Sequence, residues 1–512
     1  MPAPAADAPA IAWRDRTIAR LRGGTFDVLV IGGGITGAGI ARDAALRGLA
    51  VALVERDDFA GGTSSRSSRL VHGGVRYLEH GFFHLVFEAS RERRTLLRIA
   101  PGLVRPLRFT WPVYRGARIP RWKLRAGLAL YDTLALFRNV GVHRGLSAAG
   151  VLAEEPALAR DGLTGGAQYW DAATDDAGLT LANVLDARAN DAAVLNHAEV
   201  LGLTFDRGMT TGATVRDLID RDTFDVRARV VVNATGPWTD AIRRMEDPAA
   251  ASAVLGTKGV HIAVPAARVG NHAAVTMLSA VDGRVMFCLP AGEQTIVGTT
   301  DTPTASPPSQ VRANRDDVDY LLRSANAFFP DARLGPRDVI AAWAGIRPLV
   351  SAGNTGDPAS ASREHAITTG KRGVIAISGG KLTTYRLIAE QVVDRVVRQL
   401  GIRPRRCTTA ERALPAPAHA PVFGSLFEPI IEGHAITIGD AVRAVEHELA
   451  CTLTDIMVRR TKVAFAARDH GIPAAARVAA AVARHAGWDE AECARQVEAY
   501  RAETARLFTV DG

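Results

Sequence analysis

Gly32, Gly34 and Gly37 stand in GxGxxG spacing directly behind an apolar run at residues 26–31. Glu55 follows a second apolar run, residues 50–54, and lies 23 residues after Gly32. Each residue type has a task at a dinucleotide. The first glycine permits a tight turn, the second lets backbone N–H groups reach a pyrophosphate, and the third lets the next helix lie close against the strand. The helix start then turns its positive dipole end toward the phosphates. An acid at the end of the second strand accepts hydrogen bonds from both ribose hydroxyls of the adenosine, which disfavours NADP and leaves NAD and FAD. The competing reading is a glycine-rich turn in an α/β protein that binds no nucleotide. Strand, helix and acid in one unit argue against it.

Two later stretches repeat the strand-to-glycine pattern. Residues 226–232 read as a buried strand running into Asn233-Ala234-Thr235-Gly236, and residues 374–377 as another running into Ser378-Gly379-Gly380-Lys381. Three such junctions far apart in sequence predict one sheet assembled discontinuously, with the intervening chain forming a second, substrate-facing domain. Residues 254–300, rich in strand formers, are the best candidate for it. Residues 401–423 are rich in Pro, Arg and Ala and read as a linker to a helical C-terminal domain, 424–512. Residues 1–24 read as a disordered leader without the apolar core of a secretion signal. No run of about 18 apolar residues predicts a membrane span.

A chain of 512 residues exceeds the size of one hydrophobic core, so several domains are expected. Its net charge of +8 suits an anionic substrate, an anionic lipid surface or nucleic acid. No nucleic-acid-binding motif is present, and nucleic acid is set aside. Cys288, Cys407, Cys451 and Cys493 form neither a CxxC pair nor a disulfide framework, which fits a reducing compartment. No His, Cys and carboxylate cluster has metal-ligand spacing, no GxSxG nucleophile motif occurs, and no calcium-loop pattern appears.

Residues 30–39, the run Thr63-Ser64-Ser65-Arg66-Ser67-Ser68-Arg69-Leu70-Val71-His72-Gly73-Gly74-Val75-Arg76-Tyr77-Leu78-Glu79 and the run Gly379-Gly380-Lys381-Leu382-Thr383-Thr384-Tyr385-Arg386 together resemble the FAD-dependent glycerol-3-phosphate dehydrogenases of the aerobic, respiratory type. Residues 232–238, Lys258-Gly259-Val260-His261, Gly298-Thr299-Thr300-Asp301 and Gly345-Ile346-Arg347-Pro348-Leu349 match in the same order. The resemblance implies an α/β fold. Its parts would be a Rossmann-like FAD-binding domain of the glutathione-reductase/D-amino-acid-oxidase type, a β-rich substrate domain and a C-terminal helical domain. The oxidoreductase region would span 25–400. The FAD domain would take about 25–80, 150–250 and 340–400, and the substrate- or membrane-facing domain about 81–149 and 251–339.

In that family the polar run wraps the cofactor, so Thr63, Ser64, Ser67, Arg69, Leu70 and Gly73 become FAD candidates beside Gly32, Gly34, Ile35, Thr36, Gly37, Glu55 and Arg56. Ala234, Gly236, Gly380, Lys381, Leu382 and Thr383 join them toward the ring system. The bland reading of the Thr/Ser run is a capped, solvated loop. The reaction implied is oxidation of sn-glycerol 3-phosphate at C2 to dihydroxyacetone phosphate, with hydride going to flavin N5. It needs cations for a phosphate dianion and a base for the hydroxyl proton.

Arg76, Arg347 and Lys381 sit in glycine-flanked motifs and are the cation candidates. His261 is the leading base, read against a satisfied strand histidine. Tyr77 and Thr384 are further substrate contacts, and His72 is a weaker candidate. The catalytic set is thus His261, Arg347 and Lys381. The resemblance also implies a membrane quinone as acceptor and a peripheral protein on the inner face of the cytoplasmic membrane. Residues 115–138, basic, Trp-containing and amphipathic, suit an anionic lipid interface; packing on the protein core is the competing reading. A homodimer is an open reading that no residue pattern decides. The alternatives are a glycerol 3-phosphate oxidase using oxygen, a flavin oxidase of small amino or hydroxy acids, and a non-catalytic FAD-binding partner protein.

Overall fold

The computed structural model describes residues 12–136, 139–350, 365–415 and 424–512. The glycine-rich unit forms as its periodicity predicts, with strand Thr25–Ile31, helix Ile35–Leu46 and strand Val51–Val54. Strand Thr25–Ile31 lies between Val51–Val54 and Thr223–Asn233, parallel to both, and Ile375–Ser378 runs parallel on the far side of Thr223–Asn233. All three strand-to-glycine junctions therefore open at the same end of one sheet. Among the described residues this sheet has eight strands. Its central strands are apolar on both faces, because helices cover both sides of a parallel sheet.

Among the described residues the second sheet has ten strands, mostly antiparallel. Val254–Pro265 pairs with Gln294–Gly298 and with Ala341–Val350, while Leu163–Thr174 pairs with Val104–Tyr114. Two boundaries shift as a result. Leu163–Thr174 and Ala341–Val350 fall in ranges assigned to the cofactor domain but belong to the second sheet. Strand patterning fixes which residues pair, not which sheet receives the strand.

Helices Ile438–His447, Ala475–Ala486 and Glu490–Phe508 make the C-terminal region helical, and they share one core with the second sheet. Trp343 of that sheet meets Phe465 edge-on at 5.2 Å, and Phe465 meets Phe508 at 5.0 Å. The part of the expected linker that lies within the described residues is stitched to the body: Arg386 donates to the Thr409 hydroxyl (3.2 Å), Arg42 to the Arg412 carbonyl (2.9 Å), and Leu414 is buried.

The expected disordered leader is corrected as well. Ala12–Gly23 is a helix with Trp13, Arg14 and Leu21 buried, and residues 1–11 lie outside the described residues. Its Arg14 reaches Asp217 at 2.5 Å, a partner about two hundred residues away that no local pattern announces. Within residues 115–138 the helix runs Arg121–Leu134, and its apolar side packs inward through Leu124, Leu128 and Tyr131. Trp122, Leu130 and Leu136 remain exposed beside Arg121, Lys123 and Arg125, while residues 137 and 138 lie outside the described residues.

A buried charge network ties the C-terminal helices to the cofactor sheet. Asp58, three residues past Glu55, receives Arg459 Nε at 2.5 Å and Arg460 Nη1 at 2.6 Å. Arg459 also pairs with Asp455 (2.7 Å), which binds His197 Nε2 (2.9 Å) and caps Cys451 N–H and Thr452 N–H. Burial opposes charge on Asp455, but His197 and the arginines hold its carboxyl well below the usual range. The ligand atoms of Asp58, His197 and Asp455 lie within 4.8 Å of one another, as at a metal site, yet the two guanidiniums already neutralise the carboxylates. Removing one partner of such a network strands a buried charge. Asp58→Ala is expected to destabilise the protein by about 3 to 5 kcal/mol, read as a lowered urea midpoint. An unchanged midpoint would show that the network does not hold the two regions together.

Candidate active site

A cavity of about 480 Å³ runs from the glycine loop to the face of the second sheet. At its first end Gly32 has φ +106°, and a Cβ there would meet the Ala234 carbonyl oxygen at 2.8 Å. A Cβ on Gly37 would lie 1.8 Å from the Gly32 carbonyl oxygen, so the helix can sit this close only with glycine. Ile35 N–H donates to Ser64 Oγ (3.0 Å), which holds the Ser/Thr wrap over the helix start.

Glu55 accepts from Gly33 N–H (2.6 Å) and Asp57 N–H (2.9 Å), one bond on each oxygen. The remaining lone pairs are available to a vicinal diol. Loss of water and the nearby Asp57 carboxylate push Glu55 up to about 7 despite those bonds. The glycine cradle, the helix start and this carboxylate fit the ADP half of FAD. Gly32, Gly34, Ser64 and Glu55 would hold it.

At the far end, strand register places His261 opposite Gly298 on one side and Trp343 on the other. Its ring stacks on Trp343 at 5.6 Å and 14°. Nε2 bonds Ser68 Oγ at 2.8 Å, and Nδ1 is buried with no hydrogen-bond partner. Burial, then the positive charges of Arg347 and Arg69, push His261 down to about 3, so the imidazole is neutral near pH 7. Arg347 is oriented by Asp301 Oδ1 (3.1 Å), Thr299 Oγ1 (2.9 Å) and the Thr300 carbonyl (3.1 Å). Gly259 gives its guanidinium room, since a Cβ there would lie 2.5 Å from Nη2. Lys381 places Nζ 3.9 Å from the Tyr77 ring centroid, a cation–π contact.

Gly32, Gly34, Ile35, Thr36, Glu55 and Arg56 line the cavity, as do Thr63, Ser64, Ser67 and Leu70 from the wrap. Ala234, Gly236, Gly380, Lys381, Leu382 and Thr383 line it from the other two junctions, and Tyr77, His261 and Arg347 from the far end. His72 lines it too. Gly37 acts through packing. Besides Gly37, three candidates do not line the cavity. Arg69 lays its guanidinium over Trp343 (5.6 Å) and Phe465 (5.2 Å), Gly73 donates to Asp171 Oδ1 (2.9 Å), and Thr384 is buried at the start of helix Tyr385–Leu400. The Arg76 side chain lies outside the described residues.

Sequence reasoning missed Arg66, Ser68, Asp171, Thr299 and Asp301, all of which line the cavity. Ser68 and Arg66 sit inside the quoted polar run, and Thr299 and Asp301 inside a quoted glycine motif, so those motifs could have found them. Asp171, a lone acid in a strand, carried no signal.

Residues 27–386 match the model of the FAD dependent oxidoreductase family. The chain belongs to that family. Residues 375–493 match the C-terminal domain of alpha-glycerophosphate oxidase. This FAD-dependent oxidoreductase is 39% identical to the aerobic glycerol-3-phosphate dehydrogenase of Staphylococcus saprophyticus, over 75% of this chain and 70% of that one. It is 35% identical to the mitochondrial glycerol-3-phosphate dehydrogenase of Macaca fascicularis, over 94% of this chain and 73% of that one. Among solved structures, the glycerol-3-phosphate dehydrogenase from Bacillus halodurans complexed with FAD covers 98% of both chains with a TM-score of 0.78 and 29% identity. A glycine oxidase from Geobacillus kaustophilus, at 22% identity and TM-score 0.55, shares the fold.

FAD affinity should depend on Glu55. A ribose diol donating to the carboxylate favours its ionised form, so binding releases a proton and weakens as pH falls through about 7. Reconstitution of the apoprotein, followed by flavin fluorescence at pH 6 and pH 8, should show this trend, and Glu55→Gln should flatten it and weaken binding overall. A wild-type affinity that does not vary with pH would remove Glu55 from the ribose.

Proposed function

We propose that this chain oxidises sn-glycerol 3-phosphate to dihydroxyacetone phosphate and passes the electrons to a quinone in the membrane. One observation carries the reading: Arg347, Lys381 and a neutral, buried His261 all line the FAD cavity. Relatives named glycerol-3-phosphate dehydrogenase support the same substrate. Two cations lining one cavity suit a phosphate dianion; a carboxylate substrate would need one.

Bound FAD supplies the acceptor for the two electrons that leave C2 as hydride. Arg347, fixed by Asp301 and Thr299, and Lys381, seated on Tyr77, hold the phosphate and orient C2. His261 takes the hydroxyl proton. The dianion offsets the Arg347 charge that depresses the imidazole, so basicity rises when substrate is in place.

For the acceptor, we place the protein on the inner face of the cytoplasmic membrane. Exposed Trp122, Leu130 and Leu136 beside Arg121, Lys123 and Arg125 suit a bilayer interface. Among the described residues no helix is long and apolar enough to cross a membrane. The match of residues 375–493 to an oxidase domain makes oxygen the rival acceptor, and a stoichiometric hydrogen peroxide yield would decide for it.

His261→Asn is expected to slow anaerobic flavin reduction by glycerol 3-phosphate by about 10² to 10⁴, with FAD content unchanged. Arg347→Ala should lose about 10- to 100-fold in kcat/KM, the worth of one charged hydrogen bond. Because His261 is neutral above about 3, the acid limb of kcat/KM should instead follow the second ionisation of the substrate phosphate, at about pH 6. Full activity in both variants would refute the site.

A further inference from the structure

We propose that the cavity between helix Phe83–Ile99 and the end of helix Arg121–Leu134 binds the phosphate headgroup of an anionic phospholipid. The inference rests on the bilayer docking proposed above and specifies its chemistry. The cavity holds about 370 Å³. Arg91, Arg94 and Arg98 line it, spaced three and four residues apart and so on one face of the helix. All three are exposed, and Arg91 and Arg94 have no carboxylate partner among the described residues. Arg98 donates to the Ala410 carbonyl at 2.8 Å.

The other lining is apolar. Phe87 faces Leu134 and Leu136 across the cavity rim, and Phe87 and Leu136 are 41% and 54% exposed. Phe83, one turn before Phe87 on the same helix, extends the uncovered apolar surface. The site thus joins three guanidiniums to bare aromatic and aliphatic groups. A free phosphate would use the first and leave the second wet, whereas a phospholipid uses both.

The helix is also held rigid from behind. Glu92 makes a two-bond pair with Arg386 (2.7 Å each), and Arg93 binds Asp171 and Tyr131. The guanidiniums on the opposite face are therefore carried on a fixed backbone, which lowers the ordering cost of binding.

The test is co-sedimentation of the full-length holoenzyme with vesicles of phosphatidylcholine, with and without phosphatidylglycerol. Wild type should favour the anionic vesicles. R91Q/R94Q/R98Q should lower that partition on the order of a hundredfold. R94E, at an exposed position on which no packing depends, should lower it by about tenfold and serves if the triple variant folds poorly. Millimolar inorganic phosphate should leave wild type on the vesicles.

Equal partition of wild type and R94E, or of wild type onto neutral and anionic vesicles, would overturn the proposal. So would displacement by phosphate as complete as that caused by the triple substitution, which would assign the site to free phosphate. Turnover of glycerol 3-phosphate with a soluble dye, without vesicles, is followed in parallel. Lost vesicle binding with intact turnover concerns the headgroup site alone, and absent turnover in wild type concerns the reaction alone.

Discussion

At the carboxyl end of strand Thr25–Ile31, backbone has to meet backbone with no side chain between. The Gly32 carbonyl lies where a Cβ on Gly37 would be, and Ala234 closes on Gly32 from the neighbouring strand. This contact sets the height of helix Ile35–Leu46 over the sheet, and with it the direction of the helix start. The Ser/Thr wrap is anchored to the same point through Ser64, and the third junction at Gly379 and Gly380 enters beside it. A methyl group at this crossing would separate the elements that line the first half of the cavity.

The second half depends on a different device, an antiparallel pair of strands that presents His261 between Gly298 and Trp343. Stacking on Trp343 and burial keep the imidazole neutral, and glycines on either side leave room for it and for Arg347. The two sheets need each other for chemistry, since one holds the cofactor loop and the other the base and the cation. The Asp58–Arg459–Arg460 network and the Trp343–Phe465–Phe508 stack are the contacts through which the C-terminal helices brace both. Those helices carry no residue that reaches the cavity and act on it only through packing.

The polar run at residues 63–79 shows how a motif can be read correctly as a segment and unevenly by residue. Thr63, Ser64, Ser67 and Leu70 line the cavity, but Arg69 turns to the opposite side because φ +53° at that residue redirects its side chain onto Trp343 and Phe465. Ser68, one residue earlier, reaches His261 Nε2 instead (2.8 Å). Composition placed hydroxyls near the cofactor, and backbone dihedrals chose which of them face it.

By itself, the sequence determined the features that depend on short spacings: the glycine unit, its acid at Glu55, three parallel strands ending in glycine loops, and a helical C-terminal region. Glycine spacing and apolar periodicity are local, and they leave few other folds. Tertiary structure alone decided which sheet received Leu163–Thr174 and Ala341–Val350, that residues 12–23 are anchored by Arg14, and that the expected linker lies against the body. It also decided that the apolar side of helix Arg121–Leu134 belongs to the core. Each of these rests on partners far away in the chain, where burial and charge pairing outweigh any local preference.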